Sequence, residues 1–561
     1  MVKQYETDVA IIGGGATGTG IMRDCALRGI KCILVERDDL ASGTTGRNHG
    51  MLHSGARYAV TDPESAKECI QENKTLKKIA RHCVEATSGL FVSLPEDDLD
   101  YQKNFIQACG QAGIEAEQLT PQEALRLEPN CNPNLIGAVR VPDGTIDPFR
   151  LTSANVLDAK EHGATLLNHT LVTGLIREQD SVKGIHCLNV LNGQAIDIYA
   201  KQVVNAGGVW GQHICEYADL SIKMFPAKGA LLILDYRINN LLLNRCRKPA
   251  DADILVPGDT ISLIGTTSTK VPLETVDDLH VTDEEVDLLL REGTKLAPIM
   301  ANTRVLRAYA GVRPLVSVDG DTSGRNISRG IVLIDHEEKD GLKGFVTITG
   351  GKLMTYRMMA EWATDLVAKK IGNSAPCTTH TQLLPGSELS LGKKVPKHTA
   401  SLAKPVYESA IYRHGNRALN FLKEDKQSQA IVCECEMVTR GEIEYAIKDL
   451  NVSNMIDLRR RTRMGMGPCQ GELCSYRAAG LFTEYSQRDG LQVSKLLRHF
   501  LEERWKGLKP IFWGDALSEG EFTYWIYEDL MGVGDIPPYD PNDAIKITVK
   551  QPAAQGVKNE I

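Results

Sequence analysis

One stretch near the start restricts the fold more than any other: "TDVAIIGGGATGTGIMRDCALRGIKCILVER", residues 7–37. Residues 8–12 form a short apolar run rich in Val and Ile, the pattern of a parallel strand buried on both faces. Gly13, Gly15 and Gly18 follow as G-x-G-x-x-G, a helix-like stretch runs to Arg28, and Gly29 stops it. A second apolar run then ends in Glu36, 18 residues past Gly18. Each piece has a physical task. Glycine permits a tight turn, lets the backbone approach a pyrophosphate, and lets helix pack closely on strand. The helix N-terminus offers unpaired N–H groups and a positive dipole end to phosphates. Glu36 can accept a hydrogen bond from a ribose hydroxyl. Three such glycines also occur in other α/β turns, but strand, glycines, helix, strand and acid in this order predict a doubly wound, dinucleotide-binding unit. FAD and NAD share the fingerprint, so it does not choose between them.

Two later stretches do choose. "KQVVNAGGVWG", 201–211, is a strand running into Ala206 and Gly207, small enough to pass close beneath a cofactor. "GFVTITGGKLMTYRMMAEWATDLVAKK", 344–370, is a strand, a glycine pair and an amphipathic helix, with Gly350, Gly351 and Lys352 read as the helix start. A reduced flavin gathers negative charge toward N1 and O2, and a helix N-terminus with a lysine suits it. An ordinary glycine turn in a second βα unit is the plainer alternative.

At 561 residues the chain exceeds one core, and roughly 150 residues per domain suggests three or four units. The net charge of −8 is spread along the chain, which argues against nucleic acid as a partner. "MVKQYETDVAIIGGG" has no secretory pattern, and no stretch of about 18 uncharged apolar residues is present to span a membrane. The 14 cysteines are scattered through helical and strand-like segments, as buried reduced thiols of a cytosolic protein would be.

Four of them form a pattern. "IVCECEMVTRGEI", 431–443, holds Cys433 and Cys435; "GMGPCQGELC", 465–474, holds Cys469 and Cys474. Thr439 with Glu442 three residues on reads as a capping box that starts a helix just past the first pair. Gly465, Gly467 and Gly471 let the backbone bend around the second pair. Four thiolates from two loops suit a tetrahedral zinc or a [2Fe–2S] cluster; a C-x-C half is atypical for zinc, and a disulfide is disfavoured in a reducing cytosol. "DLRRRTRMGMGPC" sets Arg459, Arg460, Arg461 and Arg463 just before Cys469. They either favour a reduced, anionic cluster or form a solvated helix face.

"IGGGATGTGIMRDCALRG" and "GGKLMTYRMMA" resemble the two signature segments of FAD-dependent glycerol-3-phosphate dehydrogenases, and the likeness runs through nearly the whole chain. With the cysteine region included, it resembles the A subunits of the family's anaerobic bacterial branch. That region is itself similar to the bacterioferritin-associated ferredoxin domain, which favours [2Fe–2S]. The resemblance implies oxidation of sn-glycerol 3-phosphate to dihydroxyacetone phosphate by hydride transfer from C2 to flavin N5. Electrons would then pass through the cluster and partner subunits to membrane quinone, with the complex peripheral on the inner face of the membrane. "GTTGRNHGMLHSGARYAV", 43–60, looks like the family loop that wraps the flavin, placing Thr44, Thr45 and Asn48 at the cofactor. His53 matches a family histidine near the isoalloxazine and is a candidate base, while Arg57 and Tyr58 match residues that reach substrate. Arg313, Arg329 and Lys352 match cationic positions, and Leu353 follows at the flavin. The chain also departs from the pattern. Aerobic relatives carry a histidine shortly after a Lys-Gly pair, where this chain has Leu231, and an aspartate after "IGTT", where it has Ser268. That puts a mechanism resting on those residues in doubt and leaves His53 more exposed to the role of base.

The expected fold class is α/β: a doubly wound FAD domain interleaved with a mostly antiparallel substrate domain over residues 1–371. A connection follows at 372–428, a small helical [2Fe–2S] domain at 429–480, and an aromatic extension suited to docking at 481–561. Two rivals stand beside this reading: a flavin and iron–sulfur dehydrogenase of another substrate, such as a 2-hydroxy acid or secondary amine, and a non-catalytic electron carrier.

Overall fold

The computed structural model describes residues 2–316, 330–388, 402–423 and 425–539. The predicted opening unit is present as β1 (Lys3–Ile12), α1 (Ala16–Leu27) and β2 (Cys32–Val35). Only the second half of β1, Val9–Ile12, is buried throughout, because there it lies between two parallel neighbours rather than one. The sheet grows with α2 (Pro148–Glu161), which packs beside α1, and with β3 (Thr165–Leu167) and β4 (Ala195–Asn205). Further along come β5 (Met224–Leu234), β6 (Val305–Val316), β7 (Ile331–Asp335), β8 (Phe345–Gly350) and α3 (Tyr356–Ile371).

The first sheet has the order β7-β8-β4-β1-β2-β3, parallel except at β7, with an antiparallel hairpin (Thr170–Glu178, Ser181–Asn189) carried on β4. Apolar residues of α1 and α3 fill one face and the hairpin the other. The second sheet is nine-stranded and mostly antiparallel. Its longest pair is β5 against β6, registered with Ala227 opposite Arg313 and Leu231 opposite Tyr309. Strand periodicity therefore sets Arg307, Tyr309, Gly311 and Arg313 along one face of β6. The expected doubly wound domain interleaved with a mostly antiparallel one is what the chain forms.

The cysteine region folds around α4 (Arg440–Asp449), α5 (Met455–Thr462), α6 (Ser475–Ser486), α7 (Gly490–Leu508) and α8 (Gly514–Trp525). Thr439 caps α4 by accepting from the Glu442 N–H at 3.3 Å, as expected. The reciprocal half of the box is absent: the Glu442 carboxylate is fully buried and taken by Arg413 at 2.7 Å and His414 at 2.8 Å. Helix α7 belongs to two cores. Phe500 and Leu501 pack with Cys433, Cys474 and Met464, whereas Leu508 and the following Ile511 pack behind the second sheet. No helix among the described residues is long and apolar enough to cross a membrane.

The arginine run is not a solvated helix face. Helix α5 faces the flavin body, and its arginines clamp the two parts together. Arg461 and Arg460 both reach Asp39, a fully buried carboxylate in the loop after β2. Arg463 pairs with Asp259 at 2.7 Å and Glu436 at 3.0 Å, and the neighbouring Asp457 meets His169 at 2.9 Å.

Candidate functional site

The turn between β1 and α1 lies against the end of β4, and the glycines there are required by contact. Gly13 has φ +112°, and a Cβ on it would stand 2.5 Å from the Ala206 carbonyl oxygen; one on Gly18 would stand 1.9 Å from that of Gly13. Gly15 is the N-cap of α1, and the Ala16 N–H donates to Thr45 Oγ1 at 3.0 Å, so the loop at 44–46 closes over the helix start. Glu36 is half-buried and accepts from the N–H of Gly14 at 2.6 Å and of Asp38 at 2.9 Å. Burial pushes its carboxyl up, and those two donors only partly offset this. Thr44 donates to the Val312 carbonyl at 2.6 Å. Asn48 lines the cleft, yet its side chain braces its own loop, donating to the Thr44 and Thr45 carbonyls and accepting from the Gly50 N–H.

At the other wall, Gly350 and Gly351 hold φ of +78° and +65°, and a Cβ on Gly350 would meet the Gly330 carbonyl at 2.4 Å. Here the sequence reading needs one correction. The α-helix does not begin at the glycine pair: a single 3-10 turn, Leu353–Thr355, intervenes, and α3 starts at Tyr356. The two left-handed glycines reverse the chain, so the backbone cannot enter α geometry until it has turned.

These elements enclose one cleft of about 1180 Å³. It brings together Gly13, Gly15, Glu36, Thr44, Thr45, Asn48, Ala206, Gly207, Gly350, Gly351, Lys352 and Leu353 with His53, Arg57, Tyr58 and Arg313; Gly18 serves from behind the turn. Arg329 lies outside the described residues. The His53 and Tyr58 rings are 5.3 Å apart, and the Lys352 Nζ stands 4.9 Å from the centre of the Tyr58 ring. Arg57 Nη2 donates to the Ala250 carbonyl at 2.9 Å, while its Nη1 is buried with no hydrogen-bond partner. Arg313 Nη2 donates to Thr266 Oγ1 and to the Thr267 carbonyl. Leu231 is packed against Gly265, and the Ser268 N–H donates to Asp251. Asp251 was not legible beforehand. It lines the cleft near Arg57 and Arg313, and burial pushes its carboxyl up. Only the "KPADAD" turn hinted at it, and nothing in the sequence ties that turn to the flavin loop.

The four cysteines converge too. Cys474, the N-cap of α6, donates through its thiol to Met464 Sδ at 3.3 Å and lies beside Cys433 and Cys469, and Cys469 lies beside Cys435. These contacts, Cys474 first, hold the Cys469 thiol down at about 5, while Cys474 itself is driven up by its two sulfur neighbours. Main-chain N–H groups of Gly465 and Glu436 point at Cys433, and those of Gly471 and Leu473 at Cys469. A Cβ on Gly467 would stand 2.4 Å from Cys435 Cβ, and Gly465 and Gly471 press on the Phe500 ring. Four convergent sulfurs ringed by backbone donors fit an anionic cluster.

Residues 8–357 match the family model described as FAD dependent oxidoreductase, and residues 431–484 match that of the BFD-like [2Fe-2S] binding domain. Fold and site together define a flavoprotein oxidoreductase fused to an iron–sulfur domain. The chain is 63% identical to the A subunit of the anaerobic glycerol-3-phosphate dehydrogenase of Escherichia coli K12, over 94% of this chain and 97% of that one. It is 59% identical to the corresponding protein of Haemophilus influenzae, over 96% of each. The fold is shared with a glycerol-3-phosphate dehydrogenase from Bacillus halodurans complexed with FAD, at a TM-score of 0.66 and 22% identity, over 91% of this chain and 97% of that one. The chain belongs to the family of anaerobic glycerol-3-phosphate dehydrogenase A subunits, and it is an enzyme that holds FAD and a [2Fe–2S] cluster.

Proposed function

We propose that this chain is the catalytic subunit of a dehydrogenase that oxidises sn-glycerol 3-phosphate to dihydroxyacetone phosphate and sends the electrons through its [2Fe–2S] cluster to partner subunits and quinone. The observation that carries this is the buried Arg57 Nη1 without a partner, in a cleft shared with Arg313 and Lys352. A buried guanidinium N–H left unmet is costly unless an acceptor meets it, and a phosphate oxygen does so while Nη2 stays with the Ala250 carbonyl and Asp253.

Gly13, Gly15, Gly18 and Glu36 hold the dinucleotide, with Thr44, Thr45, Ala206, Gly207, Gly350, Gly351 and Leu353 along it. Bound FAD supplies the hydride acceptor at its N5. The chain must orient the substrate, keep water out and take the C2 hydroxyl proton as the hydride leaves. Arg57, Arg313 and Lys352 hold the phosphate, with Arg329 as a further cation, and Tyr58 packs between Lys352 and His53. His53 takes the proton, as a ring nitrogen lining the cleft beside Tyr58 can do. Cys433, Cys435, Cys469 and Cys474 ligate the cluster, and the complex lies on the inner face of the membrane through its partners.

The test is the visible spectrum of the anaerobically purified protein before and after sn-glycerol 3-phosphate. Bleaching of the flavin band followed by slower fading of cluster absorption supports the reading. A flavin that ignores this substrate refutes it.

A further inference from the structure

A second cavity, of about 230 Å³, lies between the flavin body and the cluster domain. It shares Asn48 and His49 with the larger cleft but none of Arg57, Arg313 or Lys352. Its walls carry an imbalance of charge. Asp147 and Asp259 are met by Arg150 and Arg463, and Arg460 is met by Asp39. Arg307, from β6, and Arg459, from α5, are left facing one another. Arg459 has no side-chain hydrogen bond among the described residues, and its Nε is enclosed. Arg307 donates through Nη2 to the Glu503 carbonyl at 3.0 Å, but its Nη1 is enclosed and unmet.

Burial pushes both guanidiniums below their usual range; Arg307 and Arg460 depress Arg459 further, and Arg47 depresses Arg307. The Glu503 carboxylate, held low by Arg307 despite its burial, supplies one negative charge against Arg307, Arg459 and Arg47. Two cations on opposite sides of a domain seam repel unless something between them is negative, and the carboxylates lining the cavity, Asp147 and Asp259, are taken by Arg150 and Arg463.

We propose that this cavity binds a small tetrahedral oxyanion of the phosphate or sulfate class, held by Arg459 from the cluster domain and Arg307 from the flavin body. An arginine fork from each side matches such an anion, which would join the two parts where they otherwise repel. The site is distinct from the substrate cleft and does not depend on which substrate that cleft takes.

The test uses the full chain loaded with FAD and cluster. Inorganic phosphate, and separately sulfate, is titrated at an ionic strength held constant with chloride, and amide exchange is followed in Met455–Thr462. Exchange there should slow saturably, about tenfold at ten times the dissociation constant. Arg459→Gln and Arg307→Gln should each abolish the response, and Lys352→Met, in the other cleft, should keep it. The proposal is overturned if phosphate and sulfate do no more than chloride. It is equally overturned if the glutamine variants still respond, or if Lys352→Met removes the effect. Should Arg459→Gln fail to fold, the wild-type titration and Arg307→Gln decide the matter.

Discussion

Replacing Asp39 by Asn tests the clamp between the flavin body and the cluster domain. Asp39 and Arg461 are both essentially inaccessible, and the carboxylate bonds two guanidiniums: Arg461 through both Nη atoms and Arg460 through Nη1 at 3.3 Å. The amide keeps the shape, but it removes the charge and leaves Arg461 buried opposite a neutral group. Breaking a buried pair from one side costs about 3–5 kcal/mol, and each 1.4 kcal/mol is roughly a factor of ten. Hydrogen exchange resolved by segment provides the assay. Protection of the α5 amides should fall by about two to three orders of magnitude, while β1 amides beside β4 change little. The Arg477–Glu434 pair, with side chains 43% and 54% exposed, provides the contrast, since its removal should cost below about 1 kcal/mol. Unchanged α5 protection in Asp39→Asn, or an equal loss on removing Arg477, would show that the clamp does not hold the domains.

The remaining predictions concern other sites. His169 sits against Asp457, and although burial lowers it, Asp457, Asp38 and Asp39 raise it to about 9 from its ordinary value of 6.5. A raised histidine stabilises fully below the unfolded value; this contribution, roughly 3 kcal/mol, should fade as pH climbs from 6.5 through 9 and be missing at every pH in His169→Gln denaturation series. Gly13→Ala places a Cβ 2.5 Å from the Ala206 carbonyl in a left-handed backbone, so the purified protein should lose most flavin absorbance yet keep that of its cluster. Cys469→Ser should remove the iron absorption while sn-glycerol 3-phosphate still bleaches the flavin. Arg57→Leu, which deletes the unmet donor, should raise KM at least about tenfold with flavin content intact, as expected for a charged hydrogen bond of roughly 1.5–3 kcal/mol.

The sequence made legible whatever is local. G-x-G-x-x-G, the Val/Ile run at 8–12 and the Gly29 stop define β1, α1 and β2 because strand period, turn chemistry and helix end agree within 30 residues. The cysteine pairs were equally readable, since the ligands of each lie within six residues. What stayed hidden depends on separation along the chain. Asp253 and Arg57 pair at 3.4 Å although 196 positions apart, and no periodicity marks either. Arg459, Arg460, Arg461 and Arg463 could be seen as a cationic run, but their direction depends on Asp39, more than 400 positions earlier. The early helix start at Gly350 failed for another reason: glycines that open a helix and glycines that delay it look alike until their φ angles are known.

Phe500 gives the cysteine loops a floor, with Gly465 and Gly471 both pressed on its ring. During synthesis it leaves the ribosome after all four cysteines and after the strands of both large sheets. Until α7 docks, the loop from 465 to 474 has no surface to close upon. A polypeptide ending before residue 500 thus lacks the floor of the iron receptacle and, with it, Leu508 and Ile511, which close the core behind the second sheet.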